Sequence, residues 1–212
     1  MQYYPYREIV PELDGTILRH MDGIVSEIDD MVTSWQWKPW PEVDLVQRGE
    51  GPGAWTVVPL LHTFPGWDTT KSVWVDAHTA LLPLTTELLR SVPNIRTALL
   101  SKMKAQTLLT SHRGWADLSN HVLRVHVPIA LPPPDEDGVP CTGVVVDGLV
   151  KHHVLGTPIV FDDSHDHFAF NRHLTDDRVV LIIDVLRPRG VPPGISHQPM
   201  SEEVTDLITR FR

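Results

Sequence analysis

From Val10 onward, apolar residues recur at spacings of three and four, at Leu13, Ile17, Met21, Ile24, Ile28 and Met31. This pattern predicts a helix with one buried stripe, started by Pro11, although Gly15 and Gly23 weaken it. Trp35, Trp37, Pro39, Trp40 and Pro41 cannot continue a helix and predict an extended connection pinned by aromatic rings. A second helix over 81–89 is expected to stop at the turn formed by Ser91, Val92, Pro93 and Asn94. Beyond Asn94 the period shortens to two. Leu123, Val125, Val127 and Ile129 alternate with Arg124 and His126, which gives one strand an aliphatic face and a polar face. Further strands are predicted at 143–146, 158–161 and 168–171, the last two pairing across a turn at 162–165. Residues 179–186 are almost wholly aliphatic, as a central strand buried on both faces would be. Residues 131–138, rich in proline and acids, read as a surface loop, and Ser201 caps a closing helix with Glu202 and Glu203 in its first turn. The expectation is one mainly β domain. It has a helical or irregular part over 1–95, a β core over 96–188 and a C-terminal extension over 189–212.

Composition narrows the partners. The 212 residues suffice for one sizeable core. With 27 acidic against 18 basic residues and a formal charge of −9, nucleic acid and acidic membranes are poor partners. A small molecule, an amino acid or a peptide remains. The single cysteine, Cys141, excludes an intramolecular disulfide, no signal-peptide pattern opens the chain, and no apolar run is long enough to span a bilayer. A cytoplasmic protein that does not enter the membrane is expected. Most of the 12 histidines fall between His112 and His173, so chemistry is sought there first.

Three segments hold the polar groups of interest: His112 to Gly114, Arg124 to His126, and Asp162 to His167, with Arg178 beyond. Imidazoles bind metals and guanidinium groups bind carboxylates in a bidentate fork, so a metal with a dicarboxylate is the implied pairing. Singly, these residues have plainer readings. His112 reads as a loop histidine, His126 as a hydrogen-bonded core histidine and Asp163 as a turn residue. Arg178, opening a buried strand, requires an anion that an internal acid would supply equally well. His165 and His167 share a face if the segment is extended, so spacing does not choose between them.

At these residues the sequence resembles the aspartyl/asparaginyl β-hydroxylase family. The matching pieces are His112-Arg113-Gly114, Asn120 with Leu123-Arg124-Val125-His126, Phe161-Asp162-Asp163-Ser164 with His167, and Arg178 to Asp184-Val185 with Pro188. They run in order over about residues 98–188 and are specific as a set. The resemblance implies a double-stranded β-helix, or jelly roll, and an iron(II)- and 2-oxoglutarate-dependent dioxygenase that consumes O2. Iron would be held by His112 and His167, with His167 chosen over His165 by the family pattern. The wider superfamily adds a carboxylate two residues after the first histidine; Gly114 stands there, as in the family. Water would fill that position, oriented by Asp163; Asp117 is a weaker candidate for the missing ligand. Arg178, helped by Ser101, would hold the distal carboxylate of 2-oxoglutarate, and Arg124 with His126 the carboxylate beside the keto group.

The implied reaction is hydroxylation of an aliphatic carbon, foremost the β-carbon, of an amino-acid residue or free amino acid. Two alternatives remain: a halogenase that takes chloride at the open position, and a non-catalytic jelly-roll binding module. A zinc hydrolase is disfavoured because only two ligands match a pattern. Specificity is expected from the N-terminal half and the loops at 130–141 and 187–196.

Overall fold

Parity along the strands dictates which side chains meet. The computed structural model of the chain describes residues 1–34, 37–49 and 51–210. Trp35 and the side chain of Met31, both part of the sequence reading, lie outside what is described. The strands are β1 (Tyr3–Tyr4), β2 (Lys38–Pro39), β3 (Val46–Arg48), β4 (Trp55–Thr63), β5 (Ser72–Trp74), β6 (Ile95–Met103) and β7 (Thr107–Leu109), followed by β8 (Val122–Ala130), β9 (Thr142–Val146), β10 (Leu149–His152), β11 (Ile159–Phe161), β12 (His167–Asn171) and β13 (Arg178–Leu186). Among the described residues they form a major sheet in the order β1-β11-β8-β13-β6-β4-β2, with β5 on β4, and a minor sheet in the order β10-β9-β12-β7-β3. All of these pairs are antiparallel, and the two sheets make the mainly β jelly roll.

One face of the major sheet is covered by helices. Val58, Leu60, Ala98, Leu100, Leu123, Val125, Val127, Leu181 and Ile183 pack there against Leu13, Ile17, Ile24, Ile28 and Leu89. The predicted apolar stripe is therefore buried, but not as one helix. Two 3-10 turns, Pro11–Asp14 and Leu18–His20, precede the α-helix Met21–Ser34, with Gly15 ending the first turn. Gly23 permits the close approach of Pro83–Ser91, since a Cβ at 23 would stand 2.6 Å from Leu84 Cδ2. The opposite face of the major sheet carries the alternate residues Thr97, Ser101, Arg124, His126, Arg178 and Asp184, and it looks toward the minor sheet.

Two expectations are corrected. β11 and β12 do not pair with one another: β11 lies between β1 and β8 in the major sheet, and β12 between β9 and β7 in the minor one. Residues 162–166 thus cross between sheets. The Asp162 carboxylate accepts from Ser164 N and from the Arg187 guanidinium, which holds the crossing in shape. The β core also begins before residue 96, because β4 pairs with β6 along nearly its whole length. Pro59 hid this strand from the sequence reading; it sits beside a register shift, where a missing N–H is tolerated. Ser201 does cap the closing helix Glu202–Arg210, its Oγ accepting from Val204 N at 3.4 Å. Among the described residues no helix is long and apolar enough to cross a membrane.

Candidate active site

A row of three neighbouring strands builds the floor. In register, Thr97 on β6 faces Asp184 on β13, which faces Arg124 on β8. Arg124 donates from Nε and Nη2 to the two Asp184 oxygens at 2.9 and 3.0 Å, and Thr97 Oγ1 donates to Asp184 as well. The remaining amino group, Nη1, donates to Asp163 Oδ1 at 2.6 Å, fixing a loop carboxylate from the other side. Burial alone would raise the Asp163 pKa, but Arg124 and His167 outweigh it and hold the carboxyl well below its usual range. Arg124 was expected to bind the co-substrate. Three of its five N–H donors serve aspartates, which leaves two for a ligand.

His112 and His167 come together through the backbone. Each N–H donates to the other residue's carbonyl, at 3.0 and 2.8 Å, which sets the ring centroids 4.4 Å apart. His112 Nδ1 lies 2.8 Å from the Thr110 carbonyl and His167 Nδ1 2.9 Å from that of His165. Both Nδ1 atoms are therefore donors, and the Nε2 lone pairs are left for a metal. His167 Nε2 faces Asp163 Oδ1 at 3.1 Å, so both nitrogens of this ring look at acceptors. A cation between Nε2 and Oδ1 satisfies that arrangement. Burial, with the neighbouring His167, pushes the His112 pKa down to about 4, so the ring is neutral and can ligate near neutral pH. Among the described residues no three His, Cys, Asp or Glu side chains form a group placed to hold a metal ion. Two imidazoles with a carboxylate alongside fit a catalytic metal, which needs open positions.

The alternative ligands point elsewhere. His165 Nδ1 is 2.6 Å from Asp147, and Asp117 is exposed on the short helix Ala116–Ser119. At Gly114, an added Cβ would lie 2.0 Å from Asp163 Oδ2 and 2.8 Å from Ser119 Cβ. Asp163 thus occupies the space that a residue-114 side chain would need.

Behind the histidines lies a small inner cavity of about 30 Å³, lined by Ser101, His126, Phe161, Arg178 and others, as well as by His112 and His167. Arg178 is 1% exposed, and its Nε and Nη1 have no hydrogen-bond partner. No carboxylate pairs with it among the described residues. Burial pushes its pKa down to about 9, so it is still a cation at neutral pH. A buried, unpaired guanidinium is costly unless an anion completes it, so the donor set fits one end of a dicarboxylate. Ser101 Oγ accepts from Trp55 Nε1 at 3.0 Å, which leaves its own proton to donate.

His126 Nδ1 lies 3.2 Å from His153 Nε2, both rings being buried. Sequence reasoning gave His153 no role, since nothing in the spacing pairs it with His126. Burial, then each ring's cationic neighbours including Arg178, hold both pKa values well below the ordinary histidine value. The unfolded chain therefore takes up protons on these histidines before the folded one does. Stability from them is complete above about pH 6.5 and is lost as pH falls toward the depressed folded values. Chemical denaturation across pH 7 to 5 is expected to lose up to about 1.4 kcal/mol per pH unit for each ring. His153→Phe should flatten the slope, whereas an unchanged slope would place the titration elsewhere.

In front of the histidines a cavity of about 550 Å³ opens outward. Its wall is aromatic: Trp40 stacks on Trp55 at 4.6 Å and runs parallel to Trp115 at 5.9 Å. Glu42 bridges the two indole N–H groups of Trp40 and Trp115, at 3.1 Å each, making the wall rigid. Across the mouth lie His197 and Gln198. Asn120 holds that segment by two hydrogen bonds to the Ser196 backbone. The expected specificity loop at 130–141 contributes no lining residue, whereas Glu42, for which no motif exists, does.

Residues 19–188 match the model of the family described as aspartyl/asparaginyl beta-hydroxylase. A stretch of 110 residues is 33% identical to the ornithine lipid ester-linked acyl 2-hydroxylase of Rhizobium tropici, covering 52% of this chain and 36% of that protein. The match thus spans little more than a third of that relative. Among solved structures, a Pseudomonas putida prolyl-4-hydroxylase superposes with a TM-score of 0.51 at 11% identity, covering 87% of this chain and 100% of the other. At that identity the likeness is one of fold.

Proposed function

Because the chain belongs to the aspartyl/asparaginyl β-hydroxylase family, we propose that it is an iron(II)- and 2-oxoglutarate-dependent dioxygenase that hydroxylates an unactivated aliphatic carbon. One observation carries the reading. Two imidazoles whose Nδ1 atoms are engaged by backbone carbonyls, leaving the Nε2 lone pairs to ligate, and a buried guanidinium with no carboxylate partner among the described residues line the same inner cavity. Ferrous iron there, with 2-oxoglutarate and O2, supplies the oxidising power that turns C–H into C–OH as 2-oxoglutarate becomes succinate and CO2.

The protein's own part is binding and orientation. His112 and His167 hold the metal, with Nδ1–H groups fixed by backbone carbonyls. Arg178 and Ser101 take the far carboxylate of the co-substrate, and His126 with the two unused donors of Arg124 the near one. Asp163, ionised and held by Arg124, would accept a hydrogen bond from a water beside the metal and orient it. The aromatic wall positions the substrate on the open side and limits its access to bulk water. Chlorination is disfavoured, since a chloride beside Gly114 would face the Asp163 carboxylate at close range.

An amino-acid side chain is the expectation from the family, and the Rhizobium relative is named for an acyl 2-position. Both targets are aliphatic carbons near a polar group. The test is succinate formation from 2-oxoglutarate under air with ferrous iron, with candidate substrates of both kinds. Substrate-stimulated succinate with a product 16 mass units heavier is expected for one oxygen atom inserted. Failure of any metal-loaded protein to bind 2-oxoglutarate would overturn the assignment.

Gly114 provides a sharper check. Gly114→Asp is expected to lose more than tenfold in succinate formation, because its side chain collides with Asp163. The double variant Gly114→Asp with Asp163→Gly should recover part of it, a carboxylate then arriving from the other side. Full activity in the single variant would mean that Asp163 does not fill this space.

A further inference from the structure

Beside the outer cavity lies a second, apolar pocket of about 60 Å³, between the inner face of the major sheet and the closing helix Glu202–Arg210. Leu61, Phe64 and Leu118 line it from the barrel side, and Val204, Leu207 and Ile208 from the helix. The last three stand at positions i, i+3 and i+4, the apolar face of that helix. Glu202, Glu203, Asp206 and Arg210 are exposed on its other face. The pocket adjoins the candidate active site: Trp40, Leu99, Trp115 and Arg124 line both cavities.

Three of its polar lining residues are engaged with one another. Thr97, Arg124 and Asp184 are bonded to one another at the inner wall, and His62 stacks on Phe64. Most of the remaining lining is apolar, and removal of methylene groups from water is favourable. We propose that this pocket receives an unbranched aliphatic chain of the substrate, so that the enzyme acts on a molecule with a polar end at the mouth and several methylenes under the closing helix. The inference rests on the hydroxylase reading for the reaction, and on the pocket's position and lining for the substrate class. A compact polar side chain such as a carboxamide would leave the pocket unused.

The test separates the two. Binding of a series of neutral 1-alkanols from butanol to decanol is measured by calorimetry on the full chain, without metal or 2-oxoglutarate. A neutral head avoids competition for Arg178. Affinity is expected to rise about fourfold per added methylene over the first members. Leu207→Gln and the pocket-filling Leu207→Trp, both at a half-buried helix position, should abolish the increment while the melting temperature changes little. A flat series in the unaltered protein, or an increment that survives both substitutions, overturns the pocket assignment. If succinate still forms with a substrate while the series is flat, only the substrate class fails. If the series rises and no succinate forms with any substrate, the hydroxylase reading fails and the chain site stands.

Discussion

Replacing either His112 or His167 with alanine is expected to abolish metal-dependent 2-oxoglutarate turnover, with a loss well beyond the 10–100-fold typical of removing a supporting group around a metal. Among the described residues no neighbour is placed to substitute. His165 is committed to Asp147, Asp117 is exposed, and Asp163 is held by Arg124. The two rings also share a reciprocal backbone bridge, which a side-chain substitution leaves in place. The fold should therefore survive, and lost activity should accompany lost metal affinity in equilibrium dialysis. His165→Ala, by contrast, should retain both. A dead His165→Ala beside an active His167→Ala would reverse the ligand assignment.

The second large effect is expected at Arg178. Truncating one partner of a buried charge pair costs about 2–5 kcal/mol, so Arg178→Ala should weaken 2-oxoglutarate binding about 30-fold or more. Arg178→Met adds a distinguishing sign. In the free protein the buried guanidinium has no carboxylate partner among the described residues, so an apolar side chain of similar length should leave stability equal or higher. In the presence of 2-oxoglutarate, the unaltered protein should gain melting temperature and the variant should not. If Arg178→Met destabilises the free protein by several kcal/mol, the cation has an internal partner and the co-substrate assignment fails.

The sequence carried the inner face of the site better than its pairings. Alternation along 122–130 placed Arg124 and His126 on one face, and an arginine opening an aliphatic run marked Arg178 as a cation entering the core. Which residue faces which across strands depends on register, and period-two patterning is silent about it. Hence Asp184, visible in the motif, was not matched to Arg124. His153 was missed for a related reason: its partner lies across the inter-sheet space rather than nearby in sequence. The supposed hairpin between 158–161 and 168–171 failed because a short polar crossing between sheets has the same composition as a turn. Trp40, Glu42 and Trp115 belong to no motif, and their function as a wall exists only once the N-terminal segment packs on the mouth.

The central claim is that His112 and His167 grip one metal ion while Arg178 holds the far end of a bound dicarboxylate. A crystal structure with manganese and 2-oxoglutarate, read by anomalous scattering, tests it most directly. The expected density is a metal bonded to both Nε2 atoms at ~2.1 Å, close to the length usual for imidazole ligands, with a carboxylate on Arg178. A metal bound elsewhere, or a 2-oxoglutarate that leaves Arg178 untouched, would contradict it.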